Sequence, residues 1–234
     1  ALPILDDAIM TAQELRELPK VWVIGGDGAL GDIGFQNVSK VILQNRPNVK
    51  VLMLDTQVYS NTGGQACTSG FTGQVADMSA WGKAQHGKSD VRKELAFIAM
   101  AHRGVFVHQS SQASASHLIS GLIRGLNTRR PAIFNVYTPC PVEHGLADDW
   151  SPTAARLALE CRAFPFLTYD PDGGPDLADC LSLEGNPAVD ELWPSYTLDY
   201  VDDDGAAASM ELPMTTADWA ATEVRFRKNF RRLA

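Results

Sequence analysis

Four short apolar runs punctuate the chain. Residues 21–24, 49–54, 105–108 and 132–137 are rich in β-branched and aromatic side chains. Each is long enough for a buried strand and too short for a helix. Around them the period changes. Ile4, Ile9 and Leu15 predict a helix over 2–18 leading into the first strand. Ile33, Val38, Val41 and Ile42 recur at helical spacing, with Gln36, Ser39 and Lys40 between them. Val91, Leu95, Ile98 and Ala99 predict a helix over 90–102, capped by Ser89 or Asp90 and stopped by Gly104. Leu118, Ile119, Leu122 and Ile123 predict another over 114–125. Strands joined by helices make right-handed crossovers, so the strands run parallel. The pattern predicts an α/β fold, a three-layer parallel sheet with helices on both faces.

Beyond residue 168 the style changes. Residues 164–169 are apolar and extended, and 170–175 form a proline- and glycine-rich turn. The runs 198–202 and 208–212 flank Asp203-Asp204-Gly205, a hairpin signal. Thr215 or Thr216 then caps a last helix with Trp219, Phe226, Phe230 and Leu233 on one stripe. The expected organisation is an α/β domain over 1–168 and an acidic extension over 169–234. That extension holds twelve acids and no Lys or Arg between 169 and 211, whereas five bases follow from Val224 onward. A solvated surface loop is the plain meaning of such a stretch, and a docking surface the other.

Composition narrows the class. The chain has 234 residues, 45% hydrophobic content and a formal charge of −8, as a globular chain of one domain, or one plus an appendage, would. Basic faces interleaved with aromatics are missing, so no nucleic acid is expected. No apolar run approaches a membrane span, and no N-terminal signal pattern is present, so no membrane is expected either. Cysteines 67, 140, 161 and 180 lack C-x-x-C spacing, against a zinc site or disulfide scaffold and in favour of a reduced, cytoplasmic setting. The chain opens at Ala1 without Met, as a piece of a longer polypeptide would.

The first crossover carries the chemistry. Gly25, Gly26 and Gly28 let the backbone turn tightly and approach a ligand. The crossover brings Asp27 to the same sheet edge as the loop Asp55-Thr56-Gln57-Val58-Tyr59-Ser60-Asn61. A helix N-terminus there suits a phosphate, but the Asp27 carboxylate does not. At about 4 Å and an effective dielectric near 20, two like charges oppose each other by roughly 4 kcal/mol. A divalent cation reverses that sign, and Mg²⁺ takes one or two protein ligands plus substrate phosphates. The Thr56 hydroxyl, a main-chain carbonyl or the Asn61 amide can supply the remainder. The residues predict a Mg²⁺-bridged diphosphate.

Gly26-Asp27-Gly28, a spacer of about 27 residues and Thr56 resemble the thiamine diphosphate motif. The continuation D-T-Q-V-Y-S-N-T-G-G-Q is similar to the cofactor domain of pyruvate:ferredoxin oxidoreductases and related 2-oxoacid:acceptor oxidoreductases, whose loop reads D-T-E-V-Y-S-N-T-G-G-Q. Asp32, Ile33 and Gly34 extend the match. The resemblance implies a thiamine diphosphate-binding fold, with Gly26, Asp27, Gly28, Ala29 and Thr56 to Asn61 (Thr56, Gln57, Val58, Tyr59, Ser60, Asn61) around the cofactor. It implies Mg²⁺ on Asp27, Thr56 and the Val58 carbonyl, and Asn61 facing the thiazolium and substrate as the catalytic residue. It further implies oxidative decarboxylation of pyruvate or a related 2-oxoacid to acyl-coenzyme A, with electrons passing through [4Fe–4S] clusters to a ferredoxin-like acceptor. Cys140, at the end of the 132–137 strand, matches a cysteine that helps hold the nearest cluster. A cubane needs four thiolates, and a pyrimidine-side domain and an iron–sulfur domain of the same enzyme, a homodimer, are implied as partners.

Other readings stay open on the residues alone. Gly26-x-Gly28-x-x-Gly31 after a strand, with Asp55 ending the next, fits a NAD- or flavin-binding Rossmann unit. Against it, Asp27 would face an uncompensated pyrophosphate and V-Y-S-N-T-G-G-Q would have no role. A ligand-free glycine turn, a non-oxidative thiamine diphosphate decarboxylase or synthase, and a pseudo-enzyme complete the set. Ala29 and Gly31 depart from the family's usual tryptophan and tyrosine beside the turn. Residues 66–73 form a loop placed to close over the cofactor, with Cys67 read as an ordinary loop residue. His144 reads as a surface or capping histidine.

Overall fold

The computed structural model describes residues 9–230. Of the helix expected over 2–18, the stretch Ala12–Glu17 (α1) forms, capped by Thr11 in a reciprocal pair with Glu14. The Ile4 part of that expectation lies outside the described residues, and Ile9 is exposed.

Six strands form the main sheet: β1 (Val21–Gly26), β2 (Val49–Asp55), β3 (Phe106–Ser111), β4 (Ala132–Tyr137), β5 (Leu167–Tyr169) and β6 (Leu181–Ser182). Their order is β1-β2-β4-β3-β5-β6. The first four run parallel, as the alternating pattern requires. β5 and β6 are antiparallel, so the sheet is mixed rather than wholly parallel. The reason lies in α6 (Ser151–Glu160), which stays at the end of β4, its Ala155, Leu157 and Ala158 packed with Tyr137 and Phe164. The chain thus re-enters the sheet from the same end of the strands at which it left β4.

Side-chain alternation builds the layers. Val51, Met53, Val107 and Ile133 pack on one face against Val38 and Ile42 of α2 (Phe35–Leu43) and Leu95, Ala96 and Ala99 of α3 (Leu95–Met100). Phe106, Phe134 and Val136 face the other way, onto Leu118 and Leu122 of α4 (Ala115–Asn127). Ile33, counted with α2 by spacing, is exposed in the turn before it.

Two sequence expectations fail instructively. β1 is not a buried strand: Ile24 is 61% exposed and Val21 50%. Among the described residues it pairs only with β2, and α4 lies over β3 and β4, so β1 is an edge whose Trp22 leans on Phe134. The helix expected over 90–102 shortens to α3. Residues 90–94 are held in a non-helical path by Lys93 N–H to the Thr68 carbonyl, by Lys88 Nζ to the carbonyls of Asp90 and Val91, and by Arg92 on Asp55.

The remaining chain adds α5 (Pro141–His144), α7 (Leu177–Cys180) and the expected hairpin, β7 (Ser195–Val201) and β8 (Ala207–Pro213). The last helix is two pieces, α8 (Thr216–Thr222) and α9 (Val224–Arg227), broken at Glu223 with φ −102° and ψ 133°. Thr215 caps α8 in a box with Asp218. Trp219 and Phe226 bury against Phe71 and the α6 cluster, and Leu233 lies outside the described residues. No helix of the described residues is long and apolar enough to cross a membrane.

Candidate functional site

Parallel pairing of Gly26 with Leu54 delivers Asp27 and Asp55 to one edge, so the glycine turn and the polar loop meet. The turn is wound more widely than an α-helical start, with i→i+5 hydrogen bonds. Residues Gly28–Ile33 form a π-helical segment, closed by Gly34 N–H to the Ala29 carbonyl at 2.8 Å. Such segments gather at functional sites. At Gly28 a Cβ would sit 2.2 Å from the Tyr59 ring, so only glycine admits that ring. The Tyr59 hydroxyl lies 3.3 Å from the Gly28 carbonyl and 3.2 Å from Asp32 Oδ2. Burial and the neighbouring Asp32 push the phenol up to about 12.

Asp27 is buried and well supplied with donors. Oδ2 accepts from the Ser69 hydroxyl and from Cys67 Sγ at 3.1 Å, and Oδ1 from the Thr56 hydroxyl at 3.1 Å. Burial, then the nearby Asp55, raises its pKa against the pull of those donors. Thr56 Oγ1 also lies 2.9 Å from the Val58 carbonyl and 3.3 Å from Ser60 Oγ. One hydroxyl proton thus serves a carboxylate and a carbonyl together. A hard cation would satisfy these converging oxygens at once, and Mg²⁺ needs no more than one carboxylate from the protein when phosphates complete its shell. These converging oxygens fit a hard divalent cation, whose charge would offset Asp27 against a phosphate.

Of the ten residues the sequence placed around the cofactor, all but Gln57 line one cleft of about 270 Å³, joined by Leu54 and Thr62. Asn61 is exposed at its rim. Gln57 turns its side chain away from the cleft. It is fully buried, in the left-handed region at φ 61°, with both amide atoms unpartnered. Spacing alone could not reveal that orientation.

The contacts of several residues at the site escaped the sequence reading. Cys67 is no ordinary loop thiol but a buried donor to Asp27. Asp32 ties the 66–73 loop down, accepting from Thr68 N–H at 3.2 Å and from the Thr68 hydroxyl, with Lys93 Nζ at 3.4 Å. Arg92 pairs with buried Asp55 at 2.6 Å and reaches the Ser69 carbonyl at 2.9 Å, its guanidinium between Phe71 and Phe164. His144 is fully buried rather than at the surface, and its Nε2 donates to the Thr56 carbonyl at 2.8 Å. Burial holds this imidazole well below its usual pKa, hence neutral. Only the meeting of strand ends in three dimensions exposes these contacts.

Cys140 caps α5 at the end of β4, partly exposed. Cys67, Cys161 and Cys180 are buried elsewhere, and the described residues contain no group of three or more His, Cys, Asp or Glu able to hold a metal.

Residues 8–136, more than half of the chain, match the family described as thiamine pyrophosphate enzyme, C-terminal TPP binding domain. The chain is 38% identical over 152 residues to the pyruvate:ferredoxin oxidoreductase of Moorella thermoacetica, covering 64% of this chain and 12% of that protein. It is 35% identical over 166 residues to the pyruvate-flavodoxin oxidoreductase of Rhodospirillum rubrum, covering 70% and 13%. Against the pyruvate synthase subunit PorB of Pyrococcus horikoshii the identity is 32% over 151 residues, covering 64% and 45%. The chain therefore spans about an eighth of the first two and less than half of the third. A solved 2-oxoglutarate:ferredoxin oxidoreductase from Magnetococcus marinus superposes with a TM-score of 0.47 at 18% identity, over 58% of this chain and 45% of that one.

Proposed function

We propose, since the chain belongs to the thiamine pyrophosphate enzymes through their C-terminal TPP-binding domain, that it holds the diphosphate end of thiamine diphosphate through Mg²⁺ within a 2-oxoacid:acceptor oxidoreductase. The observation that carries the metal is the Thr56 hydroxyl shared between Asp27 and the Val58 carbonyl. Asp27, Thr56 and the Val58 carbonyl would hold the ion. Gly26, Gly28 and Ala29 would let the diphosphate approach the turn, and Tyr59 and Ser60 would wall the cleft. Asn61, at the rim, would face the reacting carbon as the catalytic residue of this chain. Bound thiamine diphosphate supplies the electron sink for loss of CO₂ from a 2-oxoacid.

The names of the relatives support pyruvate as the 2-oxoacid and ferredoxin or flavodoxin as the acceptor. Electrons would leave through [4Fe–4S] clusters, and coenzyme A would take the acyl group. Cys140 is assigned as the fourth thiolate of the nearest cluster, the other three coming from another domain or subunit. That partner would also bring the pyrimidine side of the cofactor site, in an enzyme that is a homodimer of the complete set. The relative named as a subunit supports an assembly of separate parts. Residues 1–168 act in this reading as the cofactor domain, and the acidic 169–234 as an extension that adds β6 to its sheet. Four free thiols suit a reducing, cytoplasmic location.

The test is reconstitution. The 234-residue chain is given thiamine diphosphate, Mg²⁺, pyruvate and coenzyme A, with and without the polypeptide bearing the pyrimidine-side domain and the cluster cysteines, and viologen reduction is followed. No turnover alone and turnover on joining is the expected result. Robust reduction by the chain alone would overturn the division of labour.

A further inference from the structure

Two consecutive carbonyls of the cofactor loop are gripped from behind. The Thr56 carbonyl accepts from His144 Nε2 at 2.8 Å, and the Gln57 carbonyl accepts from Gln74 Nε2 at 2.8 Å. Between them sits the left-handed Gln57, a conformation that a non-glycine residue keeps only where its surroundings over-determine it. This turn brings the Thr56 hydroxyl within 2.9 Å of the Val58 carbonyl, on the side facing Asp27.

The grips are themselves fixed by the end of the chain, outside the matched residues 8–136. Gln74 Oε1 accepts from Arg225 Nη1 at 3.1 Å. Arg225 Nε lies 2.5 Å from Glu223 Oε2, and the Tyr137 hydroxyl touches both partners, at 3.5 Å from Glu223 Oε1 and 3.4 Å from Arg225 Nη2. Glu223 Oε2 faces His144 Nδ1 at 3.9 Å, and the His144 ring stacks on Tyr137. The Arg225 carbonyl accepts from Val75 N–H at 2.8 Å. Glu223, Arg225, Gln74 and His144 are each at most 3% exposed. The break between α8 and α9 at Glu223 is what turns this carboxylate inward.

A buried ion pair is a weak device for stability, because desolvation offsets its attraction. What it does well is fix orientation. An amide side chain has two nearly isosteric ends, one donating and one accepting. The Arg225 guanidinium admits only the oxygen end of Gln74, which leaves the nitrogen end for the Gln57 carbonyl. A reversed amide would set oxygen against oxygen and loosen the strained turn. We infer that Glu223 and Arg225 are positioning residues, which through Gln74 and beside His144 hold the Thr56–Val58 turn in its metal-binding shape. This rests on the proposed Mg²⁺–diphosphate reading of that turn.

The test uses the whole enzyme and titrates Mg²⁺ and thiamine diphosphate by calorimetry in the wild type, Arg225→Met, Arg225→Lys, Gln74→Met and Leu157→Ala. Leu157 belongs to the adjoining apolar cluster and has no polar atom with which to hold either carbonyl. Arg225→Met and Gln74→Met should raise the Kd for Mg²⁺ at least tenfold, with kcat at saturating cofactor within twofold of wild type. Arg225→Lys should recover part of the affinity, and Leu157→Ala should lower the Tm with Kd unchanged. If Arg225→Met does not fold, Gln74→Met decides. A folded Gln74→Met enzyme with wild-type Kd, or a Leu157→Ala enzyme with the same affinity loss, overturns the positioning role alone. A wild-type enzyme whose cofactor affinity ignores Mg²⁺ overturns the parent reading, and this one with it.

Discussion

The thiol of Cys67 lies 3.1 Å from Oδ2 of Asp27, buried with it and beside the Ser69 hydroxyl. Burial, then the Asp27 charge, pushes this thiol up to about 12, so it stays protonated and donates. It is a support for the carboxylate rather than a nucleophile. Cys161 is likewise pushed up to about 11 by burial. Cys140 is the one cysteine of the described residues that is not buried. A short iodoacetamide pulse at pH 8 should label Cys140 in the native protein and the other three only after denaturation. Peptide mass spectrometry reads the result, and early labelling of Cys67 would contradict its place under Asp27.

Arg92 is the cation for Asp55 at the same strand end. Asp55 is fully buried and its Oδ1 has no partner, so removing Arg92 strands a charge. Arg92→Met should destabilise the fold by about 3–5 kcal/mol in urea unfolding. A loss under about 1 kcal/mol would show that Asp55 is neutralised another way.

The crossover that joins Asp27 to Thr56 was legible in the sequence, because Val21 to Ile24 and Val49 to Leu54 announce strands and right-handed crossovers leave one geometry. The exposure of Ile24 was not, since it depends on which strand lies beside β1 and how far α4 reaches. Residues 90–94 look helical by period, yet their backbone and side chains serve Thr68 and Asp55, partners more than twenty residues away. Glu223 sits inside an apolar stripe that reads as one helix, and the break there answers to Arg225 and Tyr137. Cys67 and His144 carry no local signal at all. Local periodicity finds elements, and the contacts that shape the site lie between them.

Gly28 is held to glycine by the Tyr59 ring. Gly28→Ala should cost about tenfold or more in cofactor affinity, in line with the ~1–3 kcal/mol of overpacking a filled site. Pairing it with Tyr59→Leu should recover part of the loss in the same calorimetric titration. Full affinity in Gly28→Ala alone would mean that the ring moves freely.

Lys50 is fully buried on β2, its Nζ donating to the Arg130 carbonyl at 2.9 Å. Burial, then the nearby Lys20, lowers its pKa to about 7. Unfolded, the amine titrates at about 10.4. Between those values the unfolded chain binds more protons than the native one, so this group makes stability rise with pH across that window. Below pH 7 the penalty for the buried ammonium is fully present. Lys50→Met should be the more stable protein at pH 6 and should flatten the rise between pH 7 and 9.5 in urea midpoints. Parallel curves for the two proteins would contradict a neutral native Lys50.

The central claim is that Asp27, Thr56 and the Val58 carbonyl hold a metal that carries the diphosphate. The most direct measurement is a calorimetric titration of the enzyme with thiamine diphosphate, in Mg²⁺ and in excess chelator, for the wild type and Asp27→Ala. The account predicts binding by the wild type in Mg²⁺ only, and none by Asp27→Ala in either buffer. Equal affinity with chelator, or an Asp27→Ala enzyme that binds as the wild type does, would contradict it.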